Sequence, residues 1–553
     1  MANPSSTKQP MQLNFIDRVV ATFDPQRGLA RAQARTELAS ATGAGGYNGG
    51  ARDRRPTKRW RPKDGSADAD TLLDLPDLRG RSRDLARNAP IATGAIATNV
   101  TNVVGDGLKL QANVDHEALG ITPEQADAME REQEREWDLF CASCDFTRVQ
   151  CMDELEATSY RSVLESGDLF MLRRYRKDPG DAYGTKLQMI EADRVCNPNR
   201  AADTDAIAGG VEVSKDGVHI AYHVTNKHPG GLRVLDLKWE RVQARTDTGL
   251  PVVLHLYDRL RPEQTRGVPY LAPVIEFLKQ LSTYSEAEVD AAVATAMVAF
   301  VIETPNDGAS DSEDPPIGES DSSLNANEVK LGGAAVVSLA EREKLSTFNP
   351  NRPNSNFDPF VMSFCRQIGV ALEIPFELLV KHFTASYSAS RAALEMAWQY
   401  FRRRRTWLAA RLVQPAYEWM MEEAVATGRL NRPGFFADPI IRKAYCGAEW
   451  IGPQRASLNP KQESDADTQD VAQGFKTIEQ VCMERTGGEF EKKNAQRAKE
   501  TAMRKETGVV APPPPAANPN VPQDPKAQDP DDPDAEPDDG DEPQQSEPKR
   551  AAK

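Results

Sequence analysis

Aromatic residues and cysteines are scarce in this sequence, and long apolar runs are missing. Aromatic residues make up 7% and hydrophobic residues 39% of the 553 residues, which is below the ordinary globular balance. The seven cysteines are an odd, sparse set, so we expect free thiols in a reducing compartment. The longest uncharged apolar run, residues 291–302, is too short to cross a bilayer. We therefore expect several domains, much surface covered by water or partners, and no membrane segment.

The sequence also lacks the motifs of common phosphate-binding and hydrolytic sites. It contains no G-x-x-x-x-G-K-[ST] loop to hold phosphates and no G-x-S-x-G turn to expose a nucleophilic serine. Cys141 and Cys144 have zinc-ligand spacing, but no second cysteine or histidine pair stands near them. His219 and His223 fall in a predicted hairpin, where chance accounts for their spacing. We therefore expect no catalytic residue, no metal and no cofactor.

Negative charge is concentrated near the C-terminus. The formal net charge is −15, and residues 511–553 contain eleven Asp or Glu against four Lys or Arg, together with twelve prolines. This composition predicts a disordered acidic, proline-rich tail over residues 507–553. The rest of the chain is only mildly acidic, so net charge argues neither for nor against contact with nucleic acid.

A period of two residues predicts one β-rich region. Apolar and polar residues alternate between about residues 165 and 260, and Asp216-Gly217 between two such runs indicates a hairpin turn. A further short strand pair is expected at residues 329–339. Together with the helices on either side, this pattern indicates an α+β fold that is mainly α.

Helical periodicity covers most of the remaining chain. Thr122 and Gln125 form a capping box that starts one helix, and Asn459 before Pro460 is expected to cap another. Residues 1–59 are rich in Ala, Gly and Arg, and we expect a largely mobile arm there. Further helices are predicted over residues 82–104 with a break at the proline, 269–302, 358–373, 390–427 and 461–506.

Two polar stretches need an interpretation of their own. In SYSASR (residues 386–391), we expect Ser388 or Ser390 to cap the helix that follows rather than to act as a nucleophile. RRRR (residues 402–405) lies inside that helix. Its side chains either pair with carboxylates at a solvated surface or contact a neighbouring subunit or phosphates, since arginine forms bidentate pairs with both. The basic stretch from Arg52 to Lys63, which includes Trp60, leaves the same alternatives.

Five segments, taken in order, resemble the lambda-type portal proteins of tailed bacteriophages. No single segment is decisive, but the ordered set is specific, and it covers most of residues 50–505. Asn459 stands where the family more often has Asp, a change that preserves the helix cap. The segments are RSRDLARNAPIATGAIATNVTNVVGDGLKL (81–110), IEADRV (190–195), RGVPYLAPVI (266–275), IPFELLVKHFTASYSASRAALEMAW (374–398) and WIGPQRASLNPKQESDA (450–466).

The resemblance implies a portal fold in which a wing, a helical stem, a clip and a crown assemble as a ring around a central channel. Long, alanine-rich helices with thin apolar stripes suit such a ring, because each can pack on the next subunit. The implied parts are an N-terminal arm (1–59), the wing (60–268), the first stem helix (269–302), the clip (303–357), the second stem helix (358–379), the tunnel loop (380–390), a long wing helix and return (391–449) and the crown (450–506).

The resemblance also implies a function and a set of partners. The ring, typically of twelve subunits, would be the unique capsid vertex of the virion, assembled in the host cytoplasm. The terminase large subunit, a head–tail connector or adaptor, and the major capsid and scaffold proteins would contact it. Double-stranded DNA would pass without sequence specificity. The residues expected to line the channel are Lys381, His382, Ser386, Tyr387 and Ser388, and those expected to contact other subunits are Arg402, Arg403, Arg404, Arg405, Arg54, Arg55 and Trp60.

Two other interpretations stay open at this point. A different capsid-assembly or scaffold-like protein would share the helices and the acidic tail, but would not form a closed ring. A DNA-processing enzyme would need metal-binding carboxylates or a phosphate-binding loop, and the sequence shows neither motif.

Overall fold

The structure is a computed structural model that describes residues 20–42, 55–57, 59–62, 64–231, 236–297, 301–303, 344–346, 356–383, 386–453, 460–486 and 490–506. Its contacts divide the chain into two units, residues 1–487 and 488–553. Helices predominate over strands within the described residues, which confirms the mainly α, α+β class.

The helices follow one another along most of the chain. They are α1 (Pro25–Thr42), α2 (Ala67–Thr71), α3 (Leu75–Asn88), α4 (Pro90–Val103), α5 (His116–Leu119), α6 (Pro123–Cys141), α7 (Met152–Ser166), α8 (Ile275–Met297), α9 (Phe357–Ala371), α10 (Phe376–Val380), α11 (Tyr387–Leu408), α12 (Gln414–Ala426), α13 (Pro439–Tyr445), α14 (Pro460–Ala472), α15 (Ile478–Thr486) and α16 (Phe490–Glu506).

The strands fall mostly between α7 and α8. They are β1 (Lys109–Ala112), β2 (Asp168–Tyr175), β3 (Thr185–Glu191), β4 (Ile207–Ala208), β5 (Val211–Val213), β6 (His219–Thr225), β7 (Trp239–Gln243), β8 (Val253–Tyr257), β9 (Val301–Glu303), β10 (Lys344–Ser346) and β11 (Ala448–Ile451). The predicted β-rich region is therefore confirmed.

Two antiparallel sheets form that region. One has the order β3-β2-β8 and the other β4-β5-β6-β7. The predicted hairpin joins β5 to β6, and Gly217 adopts a left-handed φ of 79° in its turn, which glycine tolerates without a Cβ clash. A small core between the sheets includes Phe170, Val211 and Tyr222.

The helices before the sheets begin and end largely as their sequences predict. The step from Ala89 to Pro90 separates α3 from α4, because proline cannot continue the preceding helix. The capping box of Thr122 and Gln125 starts α6. Ala92 and Ala95 of α4 are fully buried in the main core, so small side chains let neighbouring helices approach. Helix α1, in contrast, lies within the stretch where a mobile arm was expected.

A strand pair joins segments far apart in sequence. β1 pairs with β11 in an antiparallel register that places Lys109 opposite Ile451 and Ala112 opposite Ala448. Gly105 packs against Pro453 so closely that a Cβ would lie 2.3 Å from its ring. The pairing therefore brings together the first and last of the five family-like segments, a contact that periodicity alone does not predict.

The pair formed by α8 and α9, here called the stem pair, follows the sheets. The prediction that the first of these helices extends to about Ile302 is wrong, because Val301–Glu303 pairs with Lys344–Ser346 as β9 and β10. The β-branched residues Val301 and Ile302 favour strand over helix once a partner strand is available. The strand pair expected at residues 329–339 lies outside the described residues.

A long helical rod follows α10 and confirms the helix predicted for residues 390–427. It consists of α11, a π-helical turn at Ala409–Val413, and α12. The π turn ends two residues before Pro415, whose ring would otherwise clash with a carbonyl one turn earlier. Beyond it, α14, α15 and α16 replace the charged helix or helix pair predicted after residue 461, and Asn459, the expected cap, lies outside the described residues.

Candidate functional site

Residues 380–390, predicted to be the tunnel loop and called by that name below, include the junction between α10 and α11. Helix α10 ends at Val380, and the C-cap residue Lys381 adopts a left-handed φ of 56° with its backbone N–H donating to the Glu377 carbonyl. The backbone N–H of His382 donates to the same carbonyl at 3.1 Å. Both side chains are exposed, as is Phe383, whereas residues 384 and 385 lie outside the described residues. The structure thus places two candidate channel residues on an exposed turn.

The serines of the loop do not cap the helix in the predicted way. Helix α11 begins at Tyr387, so Ser386 occupies the N-cap position and makes no side-chain hydrogen bond to the first-turn amides. Its hydroxyl lies 3.3 Å from the Ser388 hydroxyl. The prediction that Ser388 or Ser390 accepts those bonds is wrong, because both lie inside the helix. The side chain of Tyr387 lies outside the described residues.

Three of the four consecutive arginines have partners within the subunit. Arg403 forms an exposed ion pair with Glu373 at 3.1 Å, and Arg404 donates to the Asp258 carboxylate at 2.6 Å. Arg402 is exposed, and its guanidinium has no ion pair among the described residues. Carboxylate pairing therefore applies to Arg403 and Arg404, and contact of Arg402 with another subunit or with phosphates stays a prediction.

Arg405 has a different environment. Its guanidinium donates to the carbonyls of Asn102 and Val103 at the C-terminal end of α4, where the helix dipole favours a cation. Burial, followed by repulsion from Arg402, lowers the pKa of Arg405 to about 10. Gly452 packs on this guanidinium, since a Cβ at that position would lie 2.5 Å from Nε.

The N-terminal candidates are only partly described. Trp60 is 70% exposed and Arg55 is exposed, while Arg54 lies outside the described residues. An indole with this much free surface is available for a contact beyond the subunit. Contact by these residues with another subunit stays a prediction.

Sequence reasoning missed the most strongly buried charge cluster, which consists of Asp168, Arg79, Arg266 and His255 and is called the Asp168 cluster below. The Asp168 carboxylate accepts hydrogen bonds from Arg79 Nη2 at 2.8 Å, Arg266 Nε at 2.5 Å and His255 Nε2 at 3.3 Å. Burial alone would raise the pKa of Asp168, but the guanidinium groups of Arg266 and Arg79 outweigh it and hold the pKa well below its usual range. A single acidic residue opening an apolar strand, GDLFML, is the signal that could have revealed this site.

Arg266 connects this cluster to the stem pair. Its guanidinium also donates to the carbonyls of Val195 at 2.8 Å and Ala192 at 2.7 Å. The next residue, Gly267, passes so close to Gly167 that a Cβ would lie 2.0 Å from the Gly167 carbonyl oxygen. The family-like segments IEADRV and RGVPYLAPVI therefore meet at one buried arginine, which fixes the chain just before α8.

A second layer of charge surrounds the cluster. Arg83 donates to the Asp193 carboxylate and lies 3.1 Å from Glu191, and His228 Nε2 lies 3.3 Å from Asp193. Oxygen and nitrogen atoms of Glu191, Asp193 and His228 lie within 4.8 Å of one another, a spacing that a metal ion could use. The carboxylates already have Arg83 and Arg79 as cationic partners, so the arrangement fits an ion-pair network better than a metal site.

The cysteine pair is placed as a structural feature. Cys144 is fully buried, with Sγ 3.9 Å from Met152 Sδ. Burial raises the pKa of the Cys141 and Cys144 thiols, which keeps both protonated, whereas metal binding requires a thiolate. All seven cysteines are free.

The stem pair is held together by aromatic side chains. Phe277 of α8 contacts Phe364 of α9, with ring centroids 5.8 Å apart, and Tyr284 contacts Phe360 at 4.7 Å. Other apolar side chains of the pair are left uncovered: Val289 is 61% and Val293 48% exposed. Among the described residues, none of the helices is both long and apolar enough to cross a membrane.

Comparison with known proteins places these features in a family. The family model described as phage portal protein, lambda family, matches residues 53–405. Portal protein B of Escherichia phage lambda is 27% identical over 491 residues, which cover 85% of this chain and 91% of that protein. The portal protein of Escherichia phage N15 is 27% identical over 495 residues, with the same coverages.

Solved structures of particle necks are also similar. The neck of an empty gene transfer agent particle, computed with C6 symmetry, gives a TM-score of 0.40 at 15% identity over 72% of this chain and 92% of that one. The neck of a native particle, computed with C12 symmetry, gives 0.38 at 13% identity with the same coverages. Since the family match spans more than half of the sequence, this chain belongs to the lambda family of phage portal proteins.

Proposed function

We propose that copies of this chain form a closed ring, expected to have twelve subunits, at the unique vertex of the capsid. DNA enters through the ring, driven by the terminase, and leaves through the tail. The terminase large subunit and a head–tail connector or adaptor dock on the ring, and the major capsid and scaffold proteins surround it. In this proposal ATP hydrolysis belongs to the motor, while the ring supplies a channel, docking surfaces and a gate.

The exposed apolar face of the stem pair carries this proposal. Aromatic side chains fill the interface between α8 and α9. Val289 and Val293 lie one helical turn apart on α8 and are exposed to solvent. Val370 of α9 is 82% exposed. Apolar surface of this kind marks a protein interface, and in a ring each subunit offers the same interface to its neighbour.

The tunnel loop is proposed to form the narrowest part of the channel. Lys381, His382, Ser386 and Ser388 are exposed there, and Tyr387 belongs to the same turn. Each phosphate that a protein neutralises adds affinity and salt dependence, so a channel with few cations lets DNA slide. Of the five channel candidates, only Lys381 is a lysine or arginine, which fits a surface that approaches DNA without holding it.

The four consecutive arginines are proposed to contribute unequally to contact with a neighbouring subunit. Arg403, Arg404 and Arg405 already have partners within the subunit, so Arg402 is expected to contribute most to a neighbouring copy. Arg54, Arg55 and Trp60 are proposed to contact other subunits from the N-terminal side.

Electron microscopy of the purified protein tests the ring directly. Closed rings with a channel wide enough for a DNA duplex are the expected result. Uniform monomers that hydrolyse ATP in the presence of DNA would contradict the proposal and favour an enzyme instead.

A charge on the exposed face of α8 tests the interface. Val289→Asp combined with Val293→Asp should abolish rings while leaving the helical circular dichroism of the subunit unchanged, because both side chains are already in water within the subunit. The matched control is Leu139→Asp on α6, which is 48% exposed and should leave rings intact. Mass photometry measures the ring fraction, and rings that persist in the double variant would count against the stem interface.

A further inference from the structure

Polar contacts fasten helix α2 to the segment between β8 and α8. The Asp68 carboxylate accepts hydrogen bonds from the backbone N–H and the hydroxyl of Thr265, both at 2.9 Å. Arg261 donates to the Asp70 carboxylate at 2.6 Å and to the Gly65 carbonyl at 3.1 Å. These four hydrogen bonds hold the two segments in one fixed arrangement at the surface of the subunit.

Each of these two segments carries an exposed leucine side chain. Leu73 lies three residues after Asp70 and is 87% exposed, and Leu260 lies directly before Arg261 and is 68% exposed. Because Asp70 and Arg261 are in contact, both leucines belong to one region of the surface. This region, called the Leu73 patch below, consists of the two leucines and two aspartates at the start of α3: Leu73, Leu260, Asp74 and Asp77.

The chain around the Leu73 patch is negatively charged. Residues 64–77 contain five aspartates and no lysine or arginine, and two of these aspartates make the contacts described above. Asp74 is the N-cap residue of α3, but its side chain accepts no hydrogen bond from the first-turn amides. The Asp77 side chain is 77% exposed and lies 3.6 Å from Arg81. A partner that fits this surface therefore supplies both cations and an apolar group.

Residues 55–62, called the basic segment below, have the complementary character. The structure describes all of them except Lys58, and they include three exposed arginines and the 70% exposed indole of Trp60. Tryptophan and arginine are the residue types that most often contribute strongly to binding at protein interfaces. Within the described part of the chain, no ion pair is formed by the three guanidinium groups, which are those of Arg55, Arg59 and Arg61.

We propose that the basic segment of one copy docks on the Leu73 patch of the next copy, with the indole against the leucines and the arginines facing the aspartates. The two surfaces do not cover each other within one subunit, because Trp60, Leu73 and Leu260 are all more than two-thirds exposed. Every copy carries both surfaces, and a head-to-tail contact of this kind generates a ring when the rotation between copies closes. This inference rests on the proposed ring and identifies the surface that the N-terminal residues contact there.

Charge inversion tests the contact, with the ring fraction of the full chain measured by mass photometry. One variant inverts the basic segment (Arg55→Glu, Arg59→Glu and Arg61→Glu), and another inverts the patch (Asp74→Lys and Asp77→Lys). Either variant should lower the ring fraction about tenfold, because like charges then face each other across the contact. The chain that carries all of these substitutions should form rings again.

The matched control makes the same change in net charge elsewhere on the surface. Three exposed lysines outside the two surfaces are replaced by glutamate: Lys177→Glu, Lys215→Glu and Lys238→Glu. This variant should form rings as the natural chain does. An equal loss of rings in the control would show that net charge, rather than the proposed contact, governs assembly.

Mixing the two inverted chains separates a contact between copies from one within a chain. One chain then has an acidic segment and an acidic patch, and the other has a basic segment and a basic patch. Rings should form in the mixture, because the segment of each chain fits the patch of the other. If the combined variant formed rings but the mixture did not, the contact would lie within one chain and the proposal would be wrong.

Trp60→Ala tests the apolar part of the contact. The ring fraction should fall, because truncation of a buried interface tryptophan weakens binding strongly. Val149→Ala also shortens a highly exposed apolar side chain, one that is 79% exposed, and should leave the rings unchanged. An equal response to both substitutions would refute the fit of the indole to the leucines.

The natural chain separates this inference from the proposed ring. If the natural chain forms rings and they persist after either inversion, the contact is wrong and the ring still stands. Weaker binding of duplex DNA by the variant with inverted arginines, with its rings unchanged, would assign the basic segment to phosphates instead. A natural chain that stays monomeric would overturn both proposals.

Discussion

The Asp168 cluster and the stem pair differ in where their side chains find contacts. The cluster buries its charged groups against one another, whereas the stem pair leaves apolar side chains exposed. In the cluster, one fully buried carboxylate is surrounded by two guanidinium groups and an imidazole of the same subunit. Val289 and Val370 of the stem pair are exposed, and so is Arg402 of α11. The first region pairs its charges within one chain, and the second exposes apolar side chains that we propose contact a neighbouring subunit.

The largest effect is expected from Asp168→Asn. This change leaves the buried guanidinium groups of Arg79 and Arg266 without their shared carboxylate, and breaking a buried ion pair typically costs about 3–5 kcal/mol. Urea unfolding of the isolated subunit measures the change in free energy of unfolding.

Glu240→Gln is the control for that experiment. Its partner Arg174 lies 3.2 Å away, but Glu240 is 59% exposed, and exposed pairs contribute about 0–1 kcal/mol. A similar small loss in both variants would remove the contrast between the buried cluster and the surface.

The next effect depends on pH and on His255. Burial lowers its pKa to about 4, an effect that Asp168 only partly offsets. The unfolded chain, with a pKa near 6.5, binds more protons between pH 4 and pH 6.5, so stability rises with pH across this window and is lost as pH falls. The expected loss from this residue is up to about 3 kcal/mol.

His255→Gln isolates this contribution, because glutamine retains an N–H for Asp168 but does not titrate. Unfolding free energies measured from pH 4 to pH 7 should decline less steeply toward acid in the variant. Parallel profiles for the variant and the natural chain would show that His255 does not titrate differently on folding.

The smallest effects are expected on the arginine run. Arg403→Gln breaks only the exposed pair with Glu373, and Arg402→Gln breaks no ion pair among the described residues, so each should change subunit stability by less than about 1 kcal/mol. Only Arg402→Gln should lower the ring fraction in mass photometry. An equal loss of rings with Arg403→Gln would place the subunit contact elsewhere on the helix.

Local sequence patterns correctly predicted the helix starts, helix breaks and turns that depend on residues close together in the sequence. The capping box at Thr122, the break at Pro90 and the turn at Gly217 depend on residues that are neighbours in sequence. The serines of the tunnel loop show the limit of this reasoning. Ser386, Ser388 and Ser390 offer three similar cap positions, and the actual start of α11 at Tyr387 uses none of their hydroxyls as a cap.

The sequence by itself determined the family, the mainly α class and the position of the β-rich region. Tertiary structure alone decided which charges are buried together, since Asp168 meets Arg79 and Arg266 across 89 and 98 residues of chain. It likewise paired β1 with β11, whose residues are more than 300 positions apart in the sequence. The physical reason is that the strength of an ion pair or an edge hydrogen bond depends on burial, and burial arises only when distant segments pack.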